Sequence, residues 1–260
     1  MLKLLAIGDV TSPKAAEALA AKLWAIRKEH GVDFVAVNAE NAGFITGPTP
    51  EISDLLLNAG ADVLTGGNHT LKNHLLHAMM EQDSRVLRPA NFPAAAPGVG
   101  YTIADARGYR VLTISVLGRV NMEPVVDSPF ETVERILTRE KGNYDLAILD
   151  VHADATGEKL ALARHFDGRL TAVFGTHTHV PTADECVLPG GTGYITDVGM
   201  CGAEGGVLGI AAEGVLNRYL TGVYTRFAPA TGALFADGVL FTAEENGHCL
   251  ETKRLRISLS

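Results

Sequence analysis

A pattern that repeats through the first third of the chain constrains the fold more than any other feature. A short apolar run, a polar loop and a segment with helical spacing of apolar residues follow one another three times. Short buried runs separated by amphipathic helices indicate βαβ units with parallel strands. The pattern predicts strands at Leu2–Ile7, Phe34–Asn38 and Ala61–Thr65, and helices at Pro13–His30, Ile52–Asn58 and near Leu71–Glu81.

The pattern changes after residue 100 and predicts a second sheet. Gly100–Gly118 reads as two antiparallel strands around a turn at Arg107-Gly108, which is typical of a hairpin. Further strands are predicted at Leu146–Val151, at Ala172–Gly175 and from Tyr194, with helices at Gly157–Phe166 and near Glu213–Leu220, and with alternating apolar runs at Tyr224–Phe227, Leu234–Thr242 and Leu255–Leu259. No linker or repeat array divides the chain, so we expect one α/β domain, residues 1–260, built around two sheets.

Composition excludes several classes of protein. Hydrophobic residues make up 47% of the chain, which excludes disorder, and the net charge of −8 argues against binding to duplex nucleic acid or anionic membranes. No apolar stretch approaches the length of a membrane span, and the first apolar run meets Asp9 too early for a signal peptide. The three cysteines form no CxxC pair, so we expect a reducing, cytoplasmic location.

Polar residues follow five of the predicted strands directly. They are Asp9, Glu40, Asn68, His152, and His177 with His179. Ligands of α/β proteins bind at the carboxyl ends of the strands, so segments that are far apart in sequence are expected to meet there in one cleft. Imidazole, carboxylate and amide ligands without thiolates suit Mn, Fe or Zn. The set therefore predicts a site for two divalent metal ions.

Spacing within the motifs refines this hypothesis. His177 and His179 are two residues apart, which on an extended segment places both on one face, able to bind a metal each. His69 follows Asn68 and, in an extended loop, would point elsewhere and be free to donate a proton. Glu40 has two carboxylate oxygens and can bridge two cations about 3.5 to 4 Å apart, a separation at which both polarise one shared water.

Several of these motifs carry a family resemblance. Gly8-Asp9, Gly67-Asn68-His69 and Gly175–His179 resemble the signature of the calcineurin-like metallophosphoesterases, whose fold is a two-sheet α/β/β/α sandwich. A narrower resemblance, to the YmdB-like bacterial phosphodiesterases, runs along the whole chain through Asn38–Asn41, Gly66–Thr70, Arg88–Asn91, Gly175–Val180 with Ala183–Glu185, and Ile195–Met200. The chain departs from the wider superfamily, whose first motif is usually Asp-x-His and whose bridging carboxylate is usually Asp. The narrower resemblance implies that Asn41 replaces the missing histidine.

The resemblance implies a role for each matching residue. Asp9, Asn41 and His179 would hold one metal, Asn68, His152 and His177 the other, and Glu40 would bridge both. A bridging hydroxide would attack phosphorus, and His69 would protonate the leaving oxygen, a step worth roughly 10² to 10⁴ in rate. The implied metals are Fe or Mn before Zn, two per chain. The implied substrates are small phosphodiesters, among them 2′,3′- or 3′,5′-cyclic nucleotides.

Other functions use the same residues. A phosphomonoesterase would share the whole site, a regulatory protein would bind a nucleotide with weak hydrolysis, and a mononuclear zinc hydrolase acting on amides would hold one metal per chain. Motifs of serine hydrolases, P-loop NTPases and dinucleotide-binding enzymes do not occur.

Some roles stay open at this point. Arg88, Asn91 and Arg119 could contact substrate or form structural pairs, and Asp154 could orient a histidine ligand. Loops at Phe44–Pro50 and Pro89–Gly100 are expected to set substrate choice. The apolar C-terminal strands offer an edge for a homo-oligomer.

Overall fold

The chain forms four layers, helices on sheet on sheet on helices, in a computed structural model that describes residues 1–260. One hydrophobic core lies between the two sheets and contains Leu4, Phe34, Ile148 and Phe174. A second core packs helices against the outer face of the first sheet, and a third does the same for the second sheet. The residue pattern predicted the two sheets, and the family resemblance implied this α/β/β/α sandwich.

Fifteen strands and six α-helices make up these layers. The strands are β1 Leu2–Ile7, β2 Asp9–Val10, β3 Phe34–Asn38, β4 Val63–Thr65, β5 Tyr101–Ala106, β6 Tyr109–Leu117, β7 Leu146–His152, β8 Ala172–Thr176, β9 Cys186–Val187, β10 Gly193–Ile195, β11 Met200–Ala203, β12 Gly206–Val207, β13 Ile210–Ala211, β14 Leu234–Ala243 and β15 Cys249–Ser258. The helices are α1 Pro13–His30, α2 Pro50–Asn58, α3 His77–Gln82, α4 Pro129–Arg139, α5 Thr156–His165 and α6 Ala212–Thr221.

Each sheet contains a run of neighbouring parallel strands. The first sheet has the order β2-β11-β14-β1-β3-β4, with β15 paired to β14, and β1, β3 and β4 run parallel. The second sheet has the order β5-β6-β7-β8-β10-β9, in which β6, β7, β8 and β10 run parallel. The carboxyl ends of β1, β3, β4, β7 and β8 carry the polar residues that the sequence analysis singled out.

Three helices begin with the same capping signal. Ser12, Thr49 and Ser128 each accept a hydrogen bond from a backbone amide of the first turn, and each is followed by proline. Such a residue satisfies a free N–H group, and proline at the next position is already in helical geometry. Helix α4 was not predicted from the sequence, although Ser128-Pro129 carries this signal.

Besides the missed α4, the structure differs from the sequence-based prediction most clearly in two segments. The helix expected near residues 71–81 is two short 3₁₀ turns, Thr70–Lys72 and His74–Leu76, followed by α3, because Asn73 lies between them with an extended backbone. Residues 224–227 form no strand, and Tyr224 is exposed. The edge strand β15 carries exposed Lys253, Arg254 and Arg256, charges that hinder strand pairing.

Candidate metal centre

The fold brings the sequence-predicted site residues together. Asp9, Glu40 and His152 are completely buried and have ligand atoms within 4.8 Å of one another. The other residues, Asn41, Asn68, His69, His177 and His179, contact one or more of these three or one another. Strands of both sheets contribute, so the cluster depends on the register between the two halves of the fold.

One group of atoms gathers around His152. Its Nε2 lies 3.2 Å from Oδ1 of Asn68, 3.1 Å from Nδ1 of His177 and 3.6 Å from Oε1 of Glu40. A metal that binds N and O ligands at about 2.0 to 2.1 Å holds adjacent ligands roughly 3 Å apart in octahedral geometry and roughly 3.4 Å apart in tetrahedral geometry. The observed separations match those of ligands around one cation.

Hydrogen bonding fixes which nitrogen of His152 faces this group. The hydroxyl of Thr176 donates to Asp150 at 2.7 Å, and its oxygen lies 2.9 Å from Nδ1 of His152. Since the single hydroxyl proton points to Asp150, Nδ1 of His152 donates to Thr176. Nε2 therefore carries a lone pair towards Asn68 and His177, as metal ligation requires.

A second group of atoms surrounds Asp9. Its Oδ2 accepts the backbone N–H of His177 at 3.1 Å, whereas Oδ1 is buried without a hydrogen-bond partner and lies 3.6 Å from Nε2 of His179. Nδ1 of His179 donates to the carbonyl of Leu208 at 3.0 Å, so Nε2 faces Asp9. A buried carboxylate oxygen with no donor is costly unless a cation neutralises it.

Asn41 lies between His179 and His69. Its amide nitrogen is 3.3 Å from Nε2 of His179 and donates to Oε1 of Glu40, while its oxygen lies 2.9 Å from Nδ1 of His69. A half-turn of the amide exchanges these two atoms and would present the oxygen to a cation beside Asp9.

Glu40 and His69 are coupled directly. Oε2 of Glu40 accepts the backbone N–H of His69 at 2.9 Å, and Oε1 lies 3.2 Å from Nδ1 of the same residue. The expectation that His69 lies in an extended loop and points away was wrong. Its backbone is helical, at the start of the Thr70–Lys72 turn, and this turns the ring towards Glu40 and Asn41. His69 still lines the adjoining cavity and is accessible to a substrate.

The loop that carries His177 and His179 is not extended as expected. Both residues have positive φ, 101° and 64°. Such conformations are strained and persist only where surrounding contacts hold them. Here the N–H of His177 is bound by Asp9, and the N–H of Thr178 by the buried carboxylate of Asp197 at 3.1 Å.

A buried ion pair supports this loop and was missed at the level of sequence. Nζ of Lys159 lies 2.8 Å from Oδ2 of Asp197 and donates to the carbonyl of Thr176, also at 2.8 Å. Both side chains are completely buried. The sequence does place a charged residue, Asp197, at the end of a strand-like run. Its partner Lys159 lies on α5, 38 residues away, so no local pattern connects the two.

Asp150 is a second residue that sequence reasoning missed. It accepts hydrogen bonds from Thr65, Thr176 and Asn38, and therefore supports His152 through Thr176. The suggestion that Asp154 orients a histidine was wrong, because Asp154 is exposed and contacts Asn121. The alternation in β7 places Asp150 and His152 on the same face, a signal that points to Asp150 instead.

Gly67 has to be glycine for steric reasons. A Cβ atom there would lie 2.4 Å from Nε2 of His152. The backbone of the loop that carries Asn68 therefore packs directly on the imidazole ring. Glycine is required at this position by the close approach of the backbone to the ring.

Arg88, Asn91 and Arg119 do not line the cavity at the cluster. Asn91 bonds the backbone at Leu117 and Asp127 and is structural. Arg88 is buried and donates to the carbonyl of Pro89. Of the two loops expected to govern substrate choice, residues 44–50 reach the cavity through Phe44 and Ile45, whereas residues 89–100 do not.

Charge interactions tune the ionisable groups of the cluster. Burial lowers the pKa of His177, and that of His152 well below 6.5, so both are neutral at pH 7. Burial also opposes protonation of His179, but the Asp9 carboxylate outweighs it and raises the pKa of His179 to about 9. Burial opposes ionisation of Asp9 and Glu40, yet nearby histidines lower the pKa of both carboxyl groups. The cluster holds its acids ionised and two imidazoles neutral, as cation binding requires, whereas a cation beside Asp9 would displace the proton of His179.

Comparison with known proteins first establishes the class. A phosphatase of Mycoplasma pneumoniae has the same fold with a TM-score of 0.90 and 30% identity, and the match covers 99% of this chain and 93% of that one. A 5′-nucleotidase precursor of Thermus thermophilus matches with a TM-score of 0.57 and 14% identity over 99% of this chain and 54% of its own, a likeness of fold alone. The chain has the metallophosphoesterase fold.

The family follows from the sequence comparisons. The model of the YmdB-like protein family matches residues 5–255, so the chain belongs to that family. A 2′,3′-cyclic-nucleotide 2′-phosphodiesterase of Bacillus subtilis is 36% identical over 244 residues, which cover 94% of this chain and 92% of the relative. The resemblance carried by the sequence motifs is thereby confirmed.

Proposed function

We propose that this protein is a metal-dependent phosphodiesterase that hydrolyses 2′,3′-cyclic nucleotides or related small phosphodiesters. The Oδ1 atom of Asp9 carries this proposal most directly, because it is buried beside Nε2 of His179 without a hydrogen-bond partner and a cation would neutralise it. The name of the Bacillus subtilis relative supports the substrate class.

We propose two divalent metal ions per chain, Fe or Mn before Zn. Asp9, Asn41 and His179 would hold one, Asn68, His152 and His177 would hold the other, and Glu40 would contribute to both. Two such ions, when bound, would supply an activated water and would neutralise the charge that develops on the phosphoryl oxygens. With Asp9 and Glu40 ionised, the loaded site is net positive and attracts phosphate despite the acidic surface.

A residue of the protein itself would donate the proton that the leaving oxygen needs. Hydrolysis of a cyclic phosphodiester breaks one P–O bond, adds the oxygen of water to phosphorus and protonates the leaving oxygen. His69 is the proposed donor, because its ring is fixed by Asn41 and Glu40 and borders the cavity. A positioned general acid contributes about 10² to 10⁴ in rate.

Parallel assays test the reaction. We expect purified protein supplied with Mn²⁺ or Fe²⁺ to hydrolyse 2′,3′-cyclic AMP to a monophosphate, to act much less on p-nitrophenyl phosphate, and to lose activity after treatment with a chelator. The ester p-nitrophenyl phosphate tests the second candidate, a phosphomonoesterase, which the name of the Mycoplasma pneumoniae phosphatase favours. Faster turnover of the monoester would support that candidate, and tight nucleotide binding without turnover would contradict both.

The remaining features of the proposal concern the whole chain. We propose that residues 1–260 work as one domain, in the cytoplasm, where the three free cysteines would stay reduced. No helix is long and apolar enough to cross a membrane. We also propose that the chain forms a homo-oligomer, although the exposed charges of β15 do not favour pairing through that strand.

A further inference from the structure

A cavity of about 220 Å³ adjoins the metal centre. This is the liquid volume of about seven water molecules, so there is room beside the cluster for more than a phosphoryl group. One side of the cavity consists of cluster residues, among them Glu40, His69 and His179. The rest is mainly apolar and is lined by Phe44, Ile45, Leu208, Ile210 and Phe227.

Two separate segments supply these apolar walls, and both are tied to the cluster. The amide of Phe44 donates to the carbonyl of Asn41 at 2.8 Å, and the carbonyl of Leu208 accepts from Nδ1 of His179 at 3.0 Å. Each wall is therefore held in position by a residue of the metal centre. A molecule whose phosphate lies at the cluster has its remaining part directed between the walls.

The backbone of the walls is strained. Phe44, Ile45 and Leu208 have φ of 64°, 58° and 54°, in the left-handed region that aromatic and branched residues rarely adopt. Strain of this kind concentrates at ligand sites, where surrounding contacts hold it. Glycine would adopt these φ values more easily but would place no side chain there. The strained residues place large apolar side chains at the edge of the cavity.

Phe227 offers the aromatic surface of the second wall. It is half-buried, and the guanidinium carbon of Arg218 lies 5.4 Å from its ring centroid. A cation at this distance is attracted to the face of the ring, which favours this orientation of Phe227. A ring fixed beside a phosphate site is the arrangement on which nucleobases stack.

We infer that these walls form a nucleobase subsite, in which the base of a nucleoside phosphodiester packs against Phe227 and Phe44 while its phosphate lies at the metal centre. The inference rests on the proposed function and adds that recognition is apolar. Thr11 is the one polar side chain that lines the cavity apart from the cluster residues. Every base has an aromatic face, so selectivity among the four bases is weak, whereas selectivity for nucleotides over phosphodiesters that carry no base is strong.

The experiment compares substrates that differ in the base. We would measure kcat/KM for 2′,3′-cyclic AMP, 2′,3′-cyclic CMP and glycerol 1,2-cyclic phosphate, which keeps the five-membered cyclic diester without base or ribose. For Phe227→Ala, the ratio of the AMP to the glycerol value should fall about tenfold to hundredfold, which equals about 1.4 to 2.7 kcal/mol at 1.36 kcal/mol per tenfold. Phe227→Tyr, which keeps an aromatic ring, should keep the wild-type ratio.

A matched control lies in the same loop, three residues before Phe227. Tyr224 is 82% exposed and does not line the cavity, so Tyr224→Ala should keep the wild-type ratio. The subsite would be overturned if Phe227→Ala left the ratio unchanged, which includes an equal loss on both diesters. It would also be overturned if the wild-type kcat/KM values for 2′,3′-cyclic AMP and 2′,3′-cyclic CMP differed by more than about hundredfold.

Failure of the reaction itself is distinguishable from failure of the subsite. If the wild type hydrolyses none of these diesters, the proposed function fails, and calorimetric binding of 3′-AMP and glycerol 2-phosphate then tests the subsite. Tighter binding of 3′-AMP that Phe227→Ala abolishes would support the subsite, and equal affinities would overturn it.

Discussion

Glu40→Gln should reduce kcat for 2′,3′-cyclic AMP by about 10³-fold or more while the protein stays folded. The substitution keeps the shape of the side chain and removes the charge that lies between the two groups of ligands, 3.6 Å from His152 and next to Asn41 and His69. The metals' electrostatic contribution is worth several kcal/mol, and each 1.36 kcal/mol corresponds to tenfold in rate. Steady-state kinetics with added metal would measure the loss.

The control for this variant is Glu251→Gln, which makes the same chemical change at an exposed position of β15. Its kcat should equal that of the wild type. Circular dichroism and the urea midpoint should show that Glu40→Gln is folded. Full activity in a folded Glu40→Gln variant would remove Glu40 from the centre.

Lys159→Met should lower the free energy of unfolding by about 3 to 5 kcal/mol, the cost of leaving one member of a buried ion pair without its partner. Lys159 and Asp197 are both completely buried, and Lys159 also donates to the carbonyl of Thr176. Because Thr176 and Thr178 flank His177, the variant should also retain less metal. Urea denaturation and metal content measure the two effects.

The penalty in Lys159→Met should depend on pH. Burial raises the pKa of Asp197, against the attraction of Lys159, and removing the lysine raises this pKa further. Protonated Asp197 carries no charge, so the loss of stability should be largest at high pH and should shrink as pH falls through this pKa.

An exposed ion pair provides the matched control. Arg169 and Glu134 are joined at 2.7 Å, and their side chains are 43% and 47% exposed. Arg169→Met should cost less than about 1 kcal/mol, since water screens exposed pairs. Equal losses in the two variants would contradict the structural role assigned to Lys159.

The sequence predicted the strands and helices best where periodicity is strong and capping residues mark the ends. β3 and α1 have the expected bounds, and the change to a second sheet at the hairpin β5–β6 was confirmed. The prediction of one helix near residues 71–81 was wrong because the helical backbone is interrupted at Asn73. The side chain of Asn73 donates hydrogen bonds to the carbonyls of Gly47 and Pro48. A local pattern of apolar residues does not show such long-range hydrogen bonds, which here replace those of a continuous helix.

Convergence of the candidate ligands was also predictable, because parallel strands deliver their carboxyl ends to one edge. What could not be predicted was how the loops achieve it. The positive φ values of His177 and His179 depend on Asp9 and Asp197, and the turn of His69 towards Glu40 depends on the 3₁₀ turn that follows. These contacts join residues up to 168 positions apart, and no periodicity encodes them.

Elemental analysis of the protein, purified without chelator, tests the central claim most directly. The account predicts about two transition-metal ions per chain in the wild type and a loss of at least one of them in His177→Ala. A wild-type protein that binds no metal even when Mn²⁺, Fe²⁺ or Zn²⁺ is supplied, or that binds a single ion unaffected by that substitution, would contradict it.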